Sequence, residues 1–237
     1  MRLFLTGCEY SGTTTLSKAI AAWAERTLGP GKYNFHDHWK LPDIKDAALE
    51  GTTDVKMTDE DKRAFMGLTP NLKAMFSRYN IEYHLNKKSF YARPDHQMIG
   101  WAIDDAIYGP KYYDYGHKGT TEDREYLARR VEREVMEKAP DAVHVLVKAS
   151  PEVIRRRMEA EPREYPVVRD ADVEYILGKF EEQFEASHFK NKMVIDTTAA
   201  TVEASLAEFV AKFDEFMTPS DRGRMSLQSK QAGKDKR

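Results

Sequence analysis

A glycine-rich turn near the start of the chain carries the residues best suited to chemistry. Gly7 and Gly12 are separated by four residues and are followed directly by Thr13 and Thr14. This is the spacing of a phosphate-binding loop (P-loop), in which backbone N–H groups and the N-terminus of the next helix wrap an anionic phosphate. We therefore predict that this loop binds the phosphates of a nucleotide. Its predicted binding residues are Gly7, Cys8, Glu9, Tyr10, Ser11, Gly12, Thr13, Thr14 and Thr15.

One position of the loop departs from the usual pattern. Thr13 stands where such loops carry the lysine that meets the transferring phosphate. Thr14 keeps the hydroxyl group that such loops offer to Mg²⁺. The loop can still hold phosphate through its N–H groups, but a charged transition state would need a cation from elsewhere in the chain.

Carboxylates stand at two places where strands of a parallel sheet are expected to end. An apolar run leads into Asp104 and Asp105 and predicts a buried strand over residues 98–105, with Asp104 as a ligand of Mg²⁺. A plain strand cap is the competing interpretation. Asp37 follows a short predicted strand, residues 32–35, and is our candidate for the base that orients or deprotonates an acceptor. It could equally end the strand and cap a turn.

Arginines cluster after the fourth predicted strand. Ser150, followed by proline, is a strong start signal for a helix that would carry Arg156 and Arg157, and Arg163 lies beyond it. A guanidinium group pairs bidentately with phosphate oxygens. We predict that Arg156 and Arg157 neutralise charge on a transferring phosphoryl group and that Arg163 contacts the nucleotide. Glutamates among these arginines leave open a salt-bridged surface helix with no such role.

Helices and strands that would position these residues alternate along the chain. Apolar periodicity and capping signals predict strands at residues 3–5, 32–35, 98–105, 142–147 and 191–195, and helices that include residues 13–28, 59–68, 70–83, 121–138, 172–187 and 201–217. The third of these helices is expected to bury Leu72, Met75, Phe76, Tyr79 and Tyr83, and residues 107–116 are expected to form a tyrosine-rich loop. The alternation predicts a three-layer α/β fold of the P-loop type with a mainly parallel sheet.

Length and composition fit one such domain. The 237 residues are 41% hydrophobic, which is enough for a full-sized core in a domain over residues 1–217. Residues 218–237 are basic and poor in apolar side chains, so we predict a disordered tail. A net charge of -2 gives no case for nucleic-acid binding. With a single cysteine, and no apolar stretch of the length of a signal peptide or membrane span, we expect a cytoplasmic protein.

In order and spacing, these motifs resemble the P-loop nucleoside-monophosphate kinases, the thymidylate kinases especially. The resemblance covers about residues 1–217 and rests on the glycine loop with Thr14, on Asp104, on the helix from Ser150 to Arg157, and on residues 194–198. It implies ATP and Mg²⁺ as cofactors and transfer of the γ-phosphoryl group to a nucleotide or a hydroxyl-bearing small molecule. It also implies that Arg155, Arg156, Arg157 and Arg163 include residues of a lid over the transferred group.

Two other classes stay open. Ser11-Gly12-Thr13-Thr14 also resembles the 5′-phosphosulfate loop of sulfotransferases, which use 3′-phosphoadenosine 5′-phosphosulfate, although Tyr10 stands where those enzymes carry a basic residue. The presence of Thr13 in place of the usual lysine is also compatible with a third class, a protein that binds a nucleotide without turning it over.

Overall fold

A parallel sheet of five strands lies at the centre of the structure, a computed structural model that describes residues 1–30, 34–37, 41, 57–85 and 95–234, with the backbone alone for 34–37 and 232–234. The strands are β1 (Arg2–Thr6), β2 (Asn34–Asp37), β3 (His96–Ile99), β4 (Val143–Lys148) and β5 (Asn191–Asp196). Their order across the sheet is β2-β3-β1-β4-β5, and every neighbouring pair is parallel. The predicted parallel sheet is confirmed.

Helices connect these strands. They are α1 (Thr13–Leu28), α2 (Asp59–Met66), α3 (Pro70–His84), α4 (Ala102–Tyr112), α5 (Arg124–Lys138), α6 (Pro151–Ala160), α7 (Val173–Glu185), α8 (Val202–Phe213) and α9 (Pro219–Lys234). Side-chain caps fix several starts: Thr58 forms a capping box with Asp61, and the Ser150 hydroxyl accepts from the N–H of Val153. None of the described helices is both long and apolar enough to cross a lipid bilayer.

The two faces of the sheet are covered by different helices. Leu3 and Leu5 of β1 pack with α1 and α8, while Phe4, between them, packs in a cluster with residues of α4 and α5. This alternation is what a strand buried on both faces requires, because successive side chains point to opposite sides. The structure is therefore the predicted three-layer α/β arrangement.

The segment after β3 differs from the prediction. The strand ends at Ile99 rather than continuing to 105, and Asp104 and Asp105 lie in the first turn of α4. Gly100 and Trp101 both have positive φ (75° and 68°), so the backbone turns sharply between strand and helix. Helix α4 also extends to Tyr112, so most of the predicted tyrosine-rich loop is helical.

Helix α3 buries the face opposite to the predicted one. Leu72, Met75, Phe76 and Tyr79 are exposed, with Tyr79 at 72% of its surface. The buried positions are Lys73, Ala74, Ser77, Ile81 and His84. The polar members of this set keep hydrogen-bond partners on burial: the Lys73 ammonium donates to the carbonyl of Met66 at 2.8 Å, and the Ser77 hydroxyl donates to Asp105 at 2.5 Å.

The predicted disordered tail is wrong over most of its length, because residues 219–234 form α9. Arg224 makes a bidentate ion pair with Asp95, with N–O distances of 2.6 and 2.9 Å, and a further bond of 2.6 Å to Asp221. Asp95 and Asp221 are buried, so this pairing docks the helix despite its few apolar residues.

Candidate phosphate-binding cleft

The glycine loop between β1 and α1 has the geometry of a phosphate cradle. A β-carbon at Gly7 would lie 2.4 Å from the carbonyl oxygen of Val147, so a larger residue does not fit there. Gly12 has φ of 97°, the left-handed region that favours glycine, and it ends the loop as the N-cap of α1. The N–H of Ser11 donates to the carbonyl of Cys8 at 2.9 Å and closes the turn. The N–H groups of the first turn of α1 therefore point out of the helix N-terminus beside the loop.

The far side of the loop is held by two residues of neighbouring elements. Tyr10 adopts φ of 68°, a strained value for a non-glycine residue. Its carbonyl oxygen accepts a hydrogen bond of 2.8 Å from Nη1 of Arg157, on α6. The hydroxyl of Thr197, which follows β5, donates to the carbonyl of Ser11 at 2.7 Å. These bonds stabilise the strained loop conformation from outside.

A cleft of about 320 Å³ opens over the loop and the start of α1. It is lined by residues of the loop, of α1 and α4, of the end of α6, and of the turn between β5 and α8. The lining residues are Gly7, Glu9, Tyr10, Gly12, Thr13, Thr14, Thr15, Leu16, Ile99, Asp104, Tyr108, Arg157, Ala160, Glu161, Arg163, Val167, Thr197, Ala200, Val202 and Ser205. The cleft therefore brings together most of the predicted binding residues with Asp104.

Asp104 reaches the cleft although it is not at a strand end. A β-carbon at Gly100, the residue after β3, would lie 2.6 Å from Oδ2 of Asp104. The carboxylate therefore folds back from the first turn of α4 into the space that a side chain at the end of β3 would fill. The predicted secondary structure of this segment is wrong, although the Asp104 carboxylate lines the cleft, and its role as a ligand of Mg²⁺ stays a prediction.

Glu9 closes one end of the cleft by binding residues that follow α6. We call residues 161–168 the lid segment. The Glu9 carboxylate accepts hydrogen bonds from Arg163 at 2.6 Å and from the N–H groups of Val167 and Val168 at 2.8 and 3.0 Å. The Arg163 guanidinium also lies 4.6 Å from the centre of the Tyr10 ring, as in a cation–π contact. The lid segment is thus bound to the loop by a side chain of the loop itself.

The negative charge of Glu9 contributes to raised pKa values of two other side chains. Burial raises the pKa of the Cys8 thiol, and the charges of Glu9 and Asp104 raise it further. Burial raises the pKa of Tyr113 to about 12, with Glu9 again contributing. The loop cysteine is therefore a buried, neutral thiol, which fits a packing role better than a nucleophilic one.

The structure describes the three predicted catalytic residues to different extents. Arg156 is exposed on α6 and is not among the lining residues, so only Arg157 of the pair reaches the loop. The backbone of Asp37 ends β2 at the carboxyl edge of the sheet, in register with Ile99, which lines the cleft. The Asp37 side chain lies outside the described part of the structure, and its role stays a prediction.

The cleft suits a magnesium ion that is held together with phosphate. Among the described residues, no group of three histidine, cysteine or acidic side chains forms a ready-made metal site. Mg²⁺ is commonly held by one or two protein oxygens plus substrate phosphates. Thr14 and Asp104 both line the cleft and supply a hydroxyl and a carboxylate of this kind.

Several contacts within the site have no signal in the sequence. Thr197 and Tyr108 belong to distant elements, yet Thr197 bonds Ser11 and the Tyr108 hydroxyl accepts from the N–H of Glu9 at 3.1 Å. Glu9 was predicted only as a loop residue, and its bond to the lid segment was not foreseen. These contacts join positions about 100 to 190 residues apart, and local pattern carries no information about them.

Solved structures with a similar fold include two kinases and a protein in complex with a nucleotide. Deoxyadenosine kinase from M. mycoides with bound dATP matches with a TM-score of 0.55 and 14% identity, over 90% of this chain and 100% of that chain. Thymidylate kinase from Ehrlichia chaffeensis matches with a TM-score of 0.53 and 13% identity, over 89% and 97%. The YorR protein from Bacillus subtilis in complex with phosphorylated GDP matches with a TM-score of 0.51 and 16% identity, over 92% and 99%.

Sequence comparison adds nothing to this likeness, because no family model and no curated protein matches the chain. At such low identity the likeness concerns the fold. The chain thus has a P-loop fold like that of the nucleoside-monophosphate kinases, as its motifs predicted.

Proposed function

We propose that the protein is an ATP-dependent phosphotransferase that transfers the γ-phosphoryl group to a nucleotide or a small hydroxyl-bearing molecule. One observation carries the proposal: the glycine loop and the N-terminus of α1 face the carboxylate of Asp104 across a single cleft. Amides that converge on an anion, with a carboxylate opposite, are the parts that phosphoryl transfer needs, since catalysis there is mainly positioning and electrostatic stabilisation. The kinase folds that this chain resembles support the same reaction class.

In this proposal each part of the cleft has a separate task. The amides at the start of α1 bind the phosphate oxygens, and Thr14 and Asp104 would hold Mg²⁺, which neutralises phosphate charge when bound. Arg157 lies beside the loop, and Arg163 contacts the nucleotide from the lid segment. Asp37 remains our candidate for orienting or deprotonating the acceptor.

Ligand-induced thermal stabilisation tests the proposal. The protein is melted alone and with ATP plus MgCl₂, GTP plus MgCl₂, and adenosine 3′,5′-bisphosphate. A ligand at one hundred times its Kd stabilises a protein by about 2.7 kcal/mol, which for a chain of this size raises Tm by roughly 5–10 °C. We expect this shift with ATP and Mg²⁺. No shift with any of the three would refute nucleotide binding in the cleft.

The bisphosphate measurement of this panel and a separate assay of ADP release distinguish the alternatives. A larger increase in Tm with the bisphosphate than with ATP would favour the interpretation of Gly12-Thr13-Thr14 as part of a sulfotransferase loop. Binding of ATP without release of ADP, over a panel of nucleoside and nucleotide acceptors, would favour a protein that binds without turnover. That second candidate rests on Thr13, which lacks the charge of the usual lysine.

A further inference from the structure

Arg157 lies beside the part of the loop where Thr13 stands in place of the usual lysine. Its Nη1 atom donates to the carbonyl oxygen of Tyr10, at 2.8 Å, and would lie 3.8 Å from a β-carbon at Gly12. Gly12 directly precedes Thr13. Two further bonds, to the hydroxyl and carbonyl oxygens of Thr197 at 3.2 and 3.0 Å, fix the guanidinium group in this place.

Arg157 is also a partly buried cation without a counter-charge. All of its hydrogen-bond acceptors are neutral oxygens, and within the described part of the chain it forms no ion pair with a carboxylate. Burial and the neighbouring charge of Arg156 lower its pKa, and no acidic residue raises it. Guanidinium groups stay charged in proteins, and a partly desolvated charge is stabilised by an anion within reach.

Arg163, the other cation that lines the cleft, is in the opposite situation. The Glu9 carboxylate pairs with it at 2.6 Å, and that carboxylate is itself only 7% exposed. An incoming phosphate would have to compete with Glu9 for Arg163. Arg157 has no such internal competitor among the described residues.

We propose that Arg157 takes over the charge of the missing loop lysine and contacts the nucleotide phosphates directly. The inference rests on the proposed function and deepens it. The cation is attached to α6 instead of the loop, and it is held by the loop's own carbonyl at Tyr10. In phosphoryl transfer its task is electrostatic: it neutralises negative charge on the phosphates and forms or breaks no covalent bond.

Nucleotide titrations of matched variants test this role. Arg157→Gln removes the charge and is expected to weaken ATP binding about 10- to 100-fold, the range for losing a charge-assisted hydrogen bond. The loss should be smaller for ADP and smallest for AMP, because fewer phosphates remain near the loop. Arg130→Gln is the control: Arg130 lies on α5, pairs with Glu82 and is not among the residues that line the cleft, so ATP affinity should not change.

Charge rescue separates an electrostatic role from a structural one. Thr13→Lys restores the usual loop cation, so the double variant Thr13→Lys/Arg157→Gln should recover most of the ATP affinity lost in Arg157→Gln. Arg157→Lys keeps the charge while losing part of the hydrogen bonding to Tyr10 and Thr197, so it should bind ATP more tightly than Arg157→Gln. Circular dichroism and melting of each variant monitor folding, and Arg157→Met, which also removes the charge, replaces Arg157→Gln in these comparisons if Arg157→Gln does not fold.

The outcomes distinguish this inference from the proposed function. If the parent protein binds ATP and Arg157→Gln binds it equally well, the inference is overturned and the proposed function stands. It is likewise overturned if Arg157→Lys loses as much affinity as Arg157→Gln, or if Thr13→Lys rescues nothing. If the parent protein binds no ATP, both fall together.

Discussion

Asp104 and Asp105 are adjacent in the chain, and replacing each by asparagine should give opposite results. Asp105 is fully buried and lies 3.0 Å from Nε of Arg124, whose side chain is also fully buried. It accepts hydrogen bonds from the hydroxyls of Ser77 at 2.5 Å and Tyr115 at 2.6 Å. Asp105→Asn keeps an oxygen for these hydroxyls but leaves the guanidinium without its carboxylate.

The size of the effect follows from the surroundings of Arg124. Breaking a fully buried ion pair by removing one partner costs about 3–5 kcal/mol. Two features place this case at the lower end: the Nε–Oδ2 contact is close but not aligned as a hydrogen bond, and Glu122 lies 3.7 Å from Nη1. We expect Asp105→Asn to lower the free energy of unfolding by about 3 kcal/mol and Tm by roughly 6–12 °C.

Asp104→Asn is the matched counterpart. Its carboxylate lines the cleft and lies outside the ion pair with Arg124, so Asp104→Asn should lower the free energy of unfolding by less than Asp105→Asn does. It should instead weaken the binding of ATP at limiting Mg²⁺. Urea unfolding followed by circular dichroism measures the first quantity, and isothermal titration calorimetry measures the second. Equal destabilisation by both substitutions would refute the division of roles between the two carboxylates.

Two other substitutions test charges far from the cleft. His144 is buried between Thr6 and Ser187, and burial lowers its pKa to about 3. Between about pH 3 and 6.5 the unfolded chain therefore binds one proton more than the folded protein, and stability is lost as pH falls through this range. In urea unfolding, His144→Gln should reduce the pH dependence of the free energy of unfolding by up to about 1.4 kcal/mol per pH unit, whereas the same pH dependence in variant and parent would contradict this. Arg224→Met should lower the free energy of unfolding by roughly 2–3 kcal/mol, a value discounted because Arg224 is 26% exposed, and should speed amide hydrogen exchange in α9. Lys230→Met is the control and should do neither. Amide protection in Arg224→Met equal to that of the parent would show that the pair with Asp95 does not dock the helix.

Local signals predicted those parts of the fold that depend on neighbours in the chain. Ser150 and the proline after it start a helix because a hydroxyl cap and a fixed φ act within one turn, and the structure begins α6 there. The glycine spacing located the loop because Gly7 and Gly12 are required sterically, by a close backbone approach and by a positive φ.

The errors arose where distant contacts decide the structure. An apolar run such as 98–103 is compatible with a strand or a helix, and here the positive φ of Gly100 and Trp101 divides it. In α3 the expected core face is exposed, and the buried face includes Ser77, whose hydroxyl donates to Asp105 of another helix. Helix α9 is docked by an ion pair between Arg224 and Asp95, 129 residues apart. No local pattern contains these partners.

The charged side chains of the cleft explain how a loop with Thr13 in place of the usual lysine could bind a polyphosphate. The described lining holds three carboxylates, of Glu9, Asp104 and Glu161, against the two guanidinium groups of Arg157 and Arg163. Glu9 pairs with Arg163 and Glu161 adds a further negative charge, so the described lining offers a phosphate chain one cation without an ion pair, Arg157, and one carboxylate able to hold Mg²⁺, Asp104. With lysine at position 13 there would be two uncompensated cations beside the loop. With threonine at position 13, Arg157 is left as the cation beside the phosphates, so Arg157→Gln should weaken ATP binding strongly in the parent protein and only slightly in the Thr13→Lys variant.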